Sequence, residues 1–332
     1  MAFLRRAFAA ACVALAACEE ASTNDYASPA ETETAVETLA PSPNDISQLD
    51  ETTAPVAEAF VPGDGPALWL TGDDDTTIYL FGTIHVLPPN LKWRTPTFDQ
   101  AFDAADTVYF ETPIDDNDPQ LASLVMQYGM FPPGQSLRDL LDDEDEAVLA
   151  DAAARVGMPM IGLDRMRPWM AGVSLSVAFI QAEGHDPNSG VERQLAPAAR
   201  LDGKRLRYFE TSEEQIRFFA DLPVETQLDF LMEGVRQIDQ ASDLLDRMDM
   251  AWISGDVDAL GALMLEDQST SAPIVYDVLI RQRNAAWAAI ITELAASEPG
   301  VFMIAVGAGH IAGEDSLALM LSETGLVVER IQ

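Results

Sequence analysis

Phe302-Met303-Ile304-Ala305-Val306-Gly307-Ala308-Gly309-His310, close to the C-terminus, repeats in kind the earlier stretch Ile78-Tyr79-Leu80-Phe81-Gly82-Thr83-Ile84-His85. Each is an apolar run of strand character that breaks at a glycine and delivers a histidine three residues later. The chain holds 3 histidines, so two of them share one setting. Imidazole is the side chain whose unperturbed pKa lies nearest neutrality, and it is a common metal ligand. The glycine lets the backbone leave a sheet sharply and come close to a ligand or ion. The two histidines can meet only if the terminal strands share one sheet, and that requirement decides the fold.

Between them lies a second echo. Tyr109-Phe110-Glu111-Thr112 and Tyr208-Phe209-Glu210-Thr211 are identical tetrapeptides, closing strand-like runs at Thr107 to Phe110 and Arg205 to Phe209. Each puts a carboxylate just past an aromatic strand end. Two such glutamates and two such histidines are what a metal or acid/base site at one sheet edge requires. The alternative is a pair of satisfied structural histidines with solvated acids, and the shared context favours the site. His185, in the polar turn Glu183 to Pro187, reads as incidental. Arg283, beside Asn284, sits in a helix before the second histidine strand, and Arg167 opens another helix; either guanidinium can hold a carboxylate or clamp a substrate. Asp73 to Asp75 lacks EF-hand spacing and fits a solvated turn. Walker, dinucleotide, nucleophile-elbow and His-Glu-x-x-His patterns are absent from the sequence.

The elements read outward from these motifs. Ala67–Leu70 and Thr76–Phe81 form a hairpin, Thr97–Ala105 a short helix, and Thr107–Phe110 a strand. Ser136 caps Leu137–Leu141, Asp143 caps Glu144–Val156 with Gly157 as its stop, and Arg167-Pro168 opens a helix to Ala182. After strand Arg205–Phe209, Thr211 and Glu214 make a capping box for a helix to Asp221. Helices follow over Glu225–Ser254 and Ile274–Ala296, then strand Val301–Val306, helix Ser316–Ser322 and strand Leu326–Ile331. The fold class is mixed α/β: a central β-sheet built from N- and C-terminal strands, with a large helical insertion at about 119–200 and 212–297.

Residues 1–17 read as an export signal, with Arg5 and Arg6 ahead of an apolar run too short to be a stable span. Leu15-Ala16-Ala17-Cys18 is similar to a bacterial lipobox, which makes Cys18 the expected lipidation site of a bacterial envelope lipoprotein facing the periplasm. Glu19 follows where an aspartate would go with inner-membrane retention, which favours the outer membrane. Residues 18–62 are an acidic Ser/Thr/Pro/Ala tether, and the α/β domain begins at 63. Of the net charge of −36, residues 65–332 carry −27, which disfavours nucleic acid and leaves the lipid as the expected membrane contact. With Cys12 removed and Cys18 lipidated, any metal must be held by His and carboxylate.

Taken together, these motifs resemble the TraB/GumN family, which includes the Tiki metalloproteases and the bacterial pheromone-shutdown proteins. The similarity covers about Ala67 to Ile331. Its carriers are Leu80 to His85, Arg167-Pro168-Trp169, Gly190-Val191-Glu192, Phe209-Glu210-Thr211 with Gln215, Arg283-Asn284 with Trp287, and Val306 to His310. Glu192 stands where the family usually has Asp, and Ser316 where a Gly is common. The resemblance implies an active site of His85, Glu111 and His310; the repeated tetrapeptide adds Glu210. The expected activity is a lipid-anchored divalent-metal-dependent hydrolase, most naturally a peptidase acting on a peptide or other small substrate. His85, His310, Glu111 and Glu210 are the expected ligands of Mn, Co or Zn, and Arg283 the expected partner of developing charge. Two alternatives keep the same residues: a metal-free esterase-like hydrolase, and a non-catalytic lipoprotein that binds a peptide or haem-like ligand.

Overall fold

The computed structural model describes residues 65–113, 119–238, 241–265 and 272–332. The expected signal, Cys18 and tether lie outside these residues. Strands are β1 (Leu68–Gly72), β2 (Thr76–Thr83), β3 (Thr107–Phe110), β4 (Arg205–Tyr208), β5 (Gly300–Gly307) and β6 (Glu329–Arg330). They form one sheet in the order β4-β3-β5-β2-β1-β6. β4, β3, β5 and β2 run parallel, and β1 pairs antiparallel with both β2 and β6. The first and last histidine strands are therefore neighbours, with Thr83 opposite Gly307.

The helices are α1 (Pro96–Ala104), α2 (Pro119–Gly129), α3 (Asp143–Arg155), α4 (Met160–Leu163), α5 (Pro168–Ala182), α6 (Val191–Leu201), α7 (Ser212–Ala220), α8 (Val224–Arg236), α9 (Ala241–Ile253), α10 (Val257–Leu265), α11 (Ala272–Tyr276), α12 (Gln282–Ser297) and α13 (Leu317–Glu323). None of the described helices is long and apolar enough to cross a membrane. Alternation along β5 sorts the core into two faces. Phe302, Ile304 and Val306 join Trp287, Ile291, Leu294, Leu317 and Leu321 on one side. Met303 and Ala305 join Phe81, Phe98, Phe102, Leu244 and Trp252 on the other. Helices thus cover both faces of a mostly parallel sheet, as burial of both faces demands.

Several elements differ from the sequence expectation, each for a local reason. The long helix expected over Glu225–Ser254 is two. Phe230, Leu231 and Met232 of α8 pack among helices, whereas Leu244, Met248 and Trp252 of α9 pack on the sheet. One straight helix cannot serve both cores. The helix expected from Ile274 widens into a π turn at Asp277–Arg281 before α12. α6 escaped the sequence reading because it carries Pro197 internally. Asp142, one residue earlier than expected, caps α3, and the last strand shrinks to Glu329–Arg330. Leu137–Leu141 contains only the 3-10 turn Arg138–Leu140. The Thr211–Glu214 capping box forms as read. The aspartate turn also behaves as read, with Asp73 Oδ1 accepting from the Thr76 backbone at 3.0 Å.

One buried hydrogen bond ties the helical layer to the site strand: Trp252 Nε1 donates to the Gly82 carbonyl at 2.8 Å. Trp252→Phe leaves that carbonyl without its partner and trims the core. It is expected to lower urea-unfolding stability by about 1–3 kcal/mol, with the unfolding slope unchanged.

Candidate active site

Parallel pairing puts the ends of β2, β3, β4 and β5 along one edge, the place where open α/β sheets hold ligands. His85 follows β2 by two residues, Glu111 follows β3 directly, and Glu210 lies two residues past β4. His310 closes the 3-10 turn Ala308–His310 that leaves β5. A methyl group placed on Gly307 would lie 3.1 Å from Glu111 Oε1, 3.7 Å from His310 Cδ2 and 3.9 Å from His85 Nε2. The two imidazoles and the first glutamate therefore surround one point at the end of β5. Glycine keeps that space clear, because a side chain there would press on the Glu111 carboxylate and enter the gap between the rings.

The twin tetrapeptides lie side by side but out of step by one residue. Phe110 pairs with Tyr208, and the Phe209 amide donates to the Phe110 carbonyl at 3.1 Å. That shift sends Tyr109 and Phe209 to the same face, with ring centroids 5.2 Å apart. Both glutamates nevertheless reach Arg283, which α12 presents from that face. Arg283 Nη2 donates to Glu111 Oε2 at 2.6 Å and to Glu210 Oε2 at 2.8 Å, and Nε donates to Glu210 Oε1 at 2.8 Å. Nη1 donates to the Leu279 carbonyl at 3.2 Å and to His310 Nε2 at 3.1 Å. Leu279 belongs to the π turn, so that irregularity supplies an acceptor to the guanidinium.

Glu111 has three donors: Arg283, the Gly307 amide at 2.7 Å, and Gln215 Nε2 at 3.3 Å. His310 Nε2 lies 3.6 Å from its Oε1. The His310 tautomer follows from Asn284, whose amide nitrogen donates to the carbonyls of His310 (2.9 Å) and Asp315 (2.8 Å). Asn284 Oδ1 must then accept from His310 Nδ1 at 2.7 Å, which leaves the lone pair on Nε2. His85 Nδ1 sits 2.8 Å from Glu192 Oε1, an oxygen that also accepts from the Thr83 hydroxyl. His85 Nε2 is buried and has no hydrogen-bond partner among the described residues.

These surroundings drive the titratable groups apart. Burial works against the Glu111 carboxylate, but Arg283, followed by the histidines and the Gly307 amide, lowers its pKa to about 2. Glu210 goes up, because burial outweighs the attraction of Arg283. Burial lowers His310 to about 3, with Arg283 adding to the shift and Glu111 opposing it. His85 is also desolvated, yet Glu192 carries its pKa above the ordinary value. One imidazole is held neutral and the other is kept basic.

Sequence reasoning named His85, Glu111, Glu210, His310 and Arg283, and the fold gathers all five. It did not assign Glu192 to His85 or Asn284 to His310. Both fall inside motifs that carried the family resemblance, which was the available signal. Arg167 stays apart, lying over the Phe131 ring. His185 is not a loose turn residue, since it is buried with Nε2 2.7 Å from Asp249 Oδ2. Ser316 makes its own use of the position where a glycine is common, capping α13 through its hydroxyl.

No group of three or more His, Cys, Asp or Glu side chains stands ready in metal-ligating geometry among the described residues. The donor set that comes nearest is His85 Nε2, His310 Nε2 and Glu111 Oε1. It fits a divalent ion in chemistry: nitrogen and oxygen donors, with each imidazole anchored through Nδ1 as ligating histidines are. Glu210 is not in that set, because both its oxygens face Arg283.

A mostly parallel α/β sheet with paired Gly-x-x-His ends and an arginine-bridged glutamate pair defines the class. A profile of the TraB/PrgY/gumN family matches residues 67–330, and the chain belongs to that family. Among curated proteins it is similar to the uncharacterized protein YbaP of Escherichia coli (strain K12) and its Shigella flexneri counterpart. Each is 25% identical over 256 residues, covering 77% of this chain and 92% of the relative. No solved structure matches.

The depressed values fix a pH dependence for the metal-free protein. A histidine whose folded pKa is about 3 contributes stability above the unfolded value of 6.5 and loses it as pH falls toward 3. Glu111 adds a loss from 4.5 toward about 2. Glu210, with its raised pKa, works in the opposite sense as it takes up its proton. The His310 share is therefore read as the difference between wild type and His310→Gln, and it should fall from pH 6.5 to 4 with a slope approaching ~1.4 kcal/mol per pH unit. In His310→Gln the slope between pH 6 and 5 should flatten, whatever the variant's absolute stability.

Proposed function

We propose that the protein is a divalent-metal-dependent hydrolase of peptides or similar small substrates, anchored by lipid at Cys18 and facing the periplasm. The observation that carries the catalytic reading is the arrangement of the two imidazoles. Each is pinned through Nδ1, and each brings its ring to the end of β5, His310 Nε2 lying 3.6 Å from Glu111 Oε1 and His85 Nε2 3.9 Å from a methyl group placed on Gly307. His85, His310 and Glu111 would hold the ion, which when bound supplies Lewis acidity and a more acidic water. Arg283 stands beside this set to stabilise negative charge developing on the substrate. Glu210, with its raised pKa, borders an open cleft of about 730 Å3 lined by Leu124, Tyr208, Phe209 and Thr211. That position suits it to take a proton from water and return it to the leaving group.

One contact favours a second reading. Arg283 Nη1 already occupies His310 Nε2 at 3.1 Å, so an ion there must displace the guanidinium. In the metal-free alternative His85, made basic by Glu192, activates water itself, and Arg283 remains in place.

Elemental analysis and calorimetric titration with Mn, Co and Zn, alongside hydrolysis of a peptide library, separate the readings. The expectation is one ion per chain in the wild type. It should be lost in His85→Ala and His310→Ala, with turnover down by about 10²–10⁴-fold and circular dichroism unchanged. Activity that resists chelation but disappears in His85→Ala would transfer the conclusion to the metal-free reading. Ligand retention without any turnover would leave a binding protein.

A further inference from the structure

We propose that Glu192 is the positioning residue for His85, holding the imidazole as the Nδ1–H tautomer so that the Nε2 lone pair faces the end of β5. The inference deepens the proposed function and applies to its metal-bound and metal-free forms alike. In both, His85 must present an unprotonated Nε2.

The placement of Glu192 is built, not incidental. It is in the first turn of α6, where the helix dipole favours an anion, and it is 6% exposed. The start of α6 is docked on the histidine loop itself, since the Val191 amide donates to the Ile84 carbonyl at 3.0 Å. Gly190 permits this approach: a Cβ there would lie 2.0 Å from the His85 carbonyl oxygen. The helix, the loop and the carboxylate thus form one unit. Within it, Glu192 Oε1 receives both the Thr83 hydroxyl and His85 Nδ1.

An ionised carboxylate only accepts hydrogen bonds, so its contact with Nδ1 places the ring proton there. A neutral imidazole free in water prefers its proton on Nε2. Without Glu192 the ring would revert toward that form, and the nitrogen facing the site would carry hydrogen in place of a lone pair. His310 reaches the same tautomer through the neutral amide of Asn284. The two histidines are thus set in the same orientation by anchors of different charge.

The test reads the tautomer directly and does not depend on finding a substrate. With 3 histidines in the chain, 15N-histidine labelling of the full protein gives separable ring signals, assigned from spectra of His85→Ala and His310→Ala. In the presence of chelator, at a pH above the observed titration of His85 so that the ring is neutral, wild-type His85 should show an unprotonated Nε2 and a protonated Nδ1. Glu192→Ala should move His85 toward the Nε2–H form while leaving His185 and His310 unchanged. Glu192→Gln, which keeps an oxygen acceptor, should restore the Nδ1–H form with a less deshielded ring proton. A residue that merely pinned α6 would change stability in these variants but not the His85 tautomer. Wild-type His85 carrying its proton on Nε2 would overturn the proposal. So would a Glu192→Ala spectrum identical to wild type, or, if that variant does not fold, a Glu192→Gln ring proton that does not shift. Metal affinity or turnover should fall by about 10–100-fold in Glu192→Ala and less in Glu192→Gln. Absence of turnover in the wild type and every variant, with the tautomer pattern intact, would refute the hydrolase reading and leave the role of Glu192 standing.

Discussion

The buried guanidinium of Arg283 is the interaction on which the rest of the site depends. At 2% exposure it has almost no water, and an unpaired charge there would cost several kcal/mol. It is offset by a full complement of acceptors: two carboxylates, the Leu279 carbonyl and an imidazole nitrogen, with the Trp287 ring 4.7 Å from its centre. Each acceptor comes from a different stretch of chain, so satisfying one cation fixes the relative positions of β3, β4, α12 and the turn after β5. Removing the charge would leave two neighbouring glutamates, one of them buried, without the cation that holds them together. The cation is therefore structural and chemical at once.

The electrostatic difference between the histidines follows from the same frame. Arg283 presses against His310 and helps keep it neutral, whereas His85 lies against the anionic Glu192. A pair of like side chains, delivered by motifs that share the strand and the Gly-x-x-His spacing, thereby acquires unlike properties from what each ring packs against. Such divergence within one pocket is how environments divide acid and base roles between similar groups.

Much of this was legible in the sequence because it follows from local pattern. The strand-Gly-x-x-His runs announced β2 and β5, and their shared purpose required those strands to be neighbours. The Phe-Glu-Thr repeats placed both glutamates at strand ends. What stayed hidden was geometry that pattern does not encode. A one-residue offset between identical tetrapeptides is invisible until the strands pair. The π turn before Arg283 has the same apolar spacing as an ordinary helix to within the noise of a short segment. Pro197 disguised α6, and with it the helix that carries Glu192 to His85. The break between α8 and α9 reflects two separate cores, a tertiary fact that neither segment states by itself.

The adjacency of β2 and β5 has a consequence for how the protein comes into being. A ribosome makes the first histidine early and the second only near the end. Until the last parallel strand is inserted between β2 and β3, His310 and the Gly307 amide are missing from Glu111, and His85 stands without its counterpart. A growing or prematurely ended polypeptide thus carries most of the residues but none of the chemistry. The topology itself withholds the completed centre until the whole domain has been synthesised.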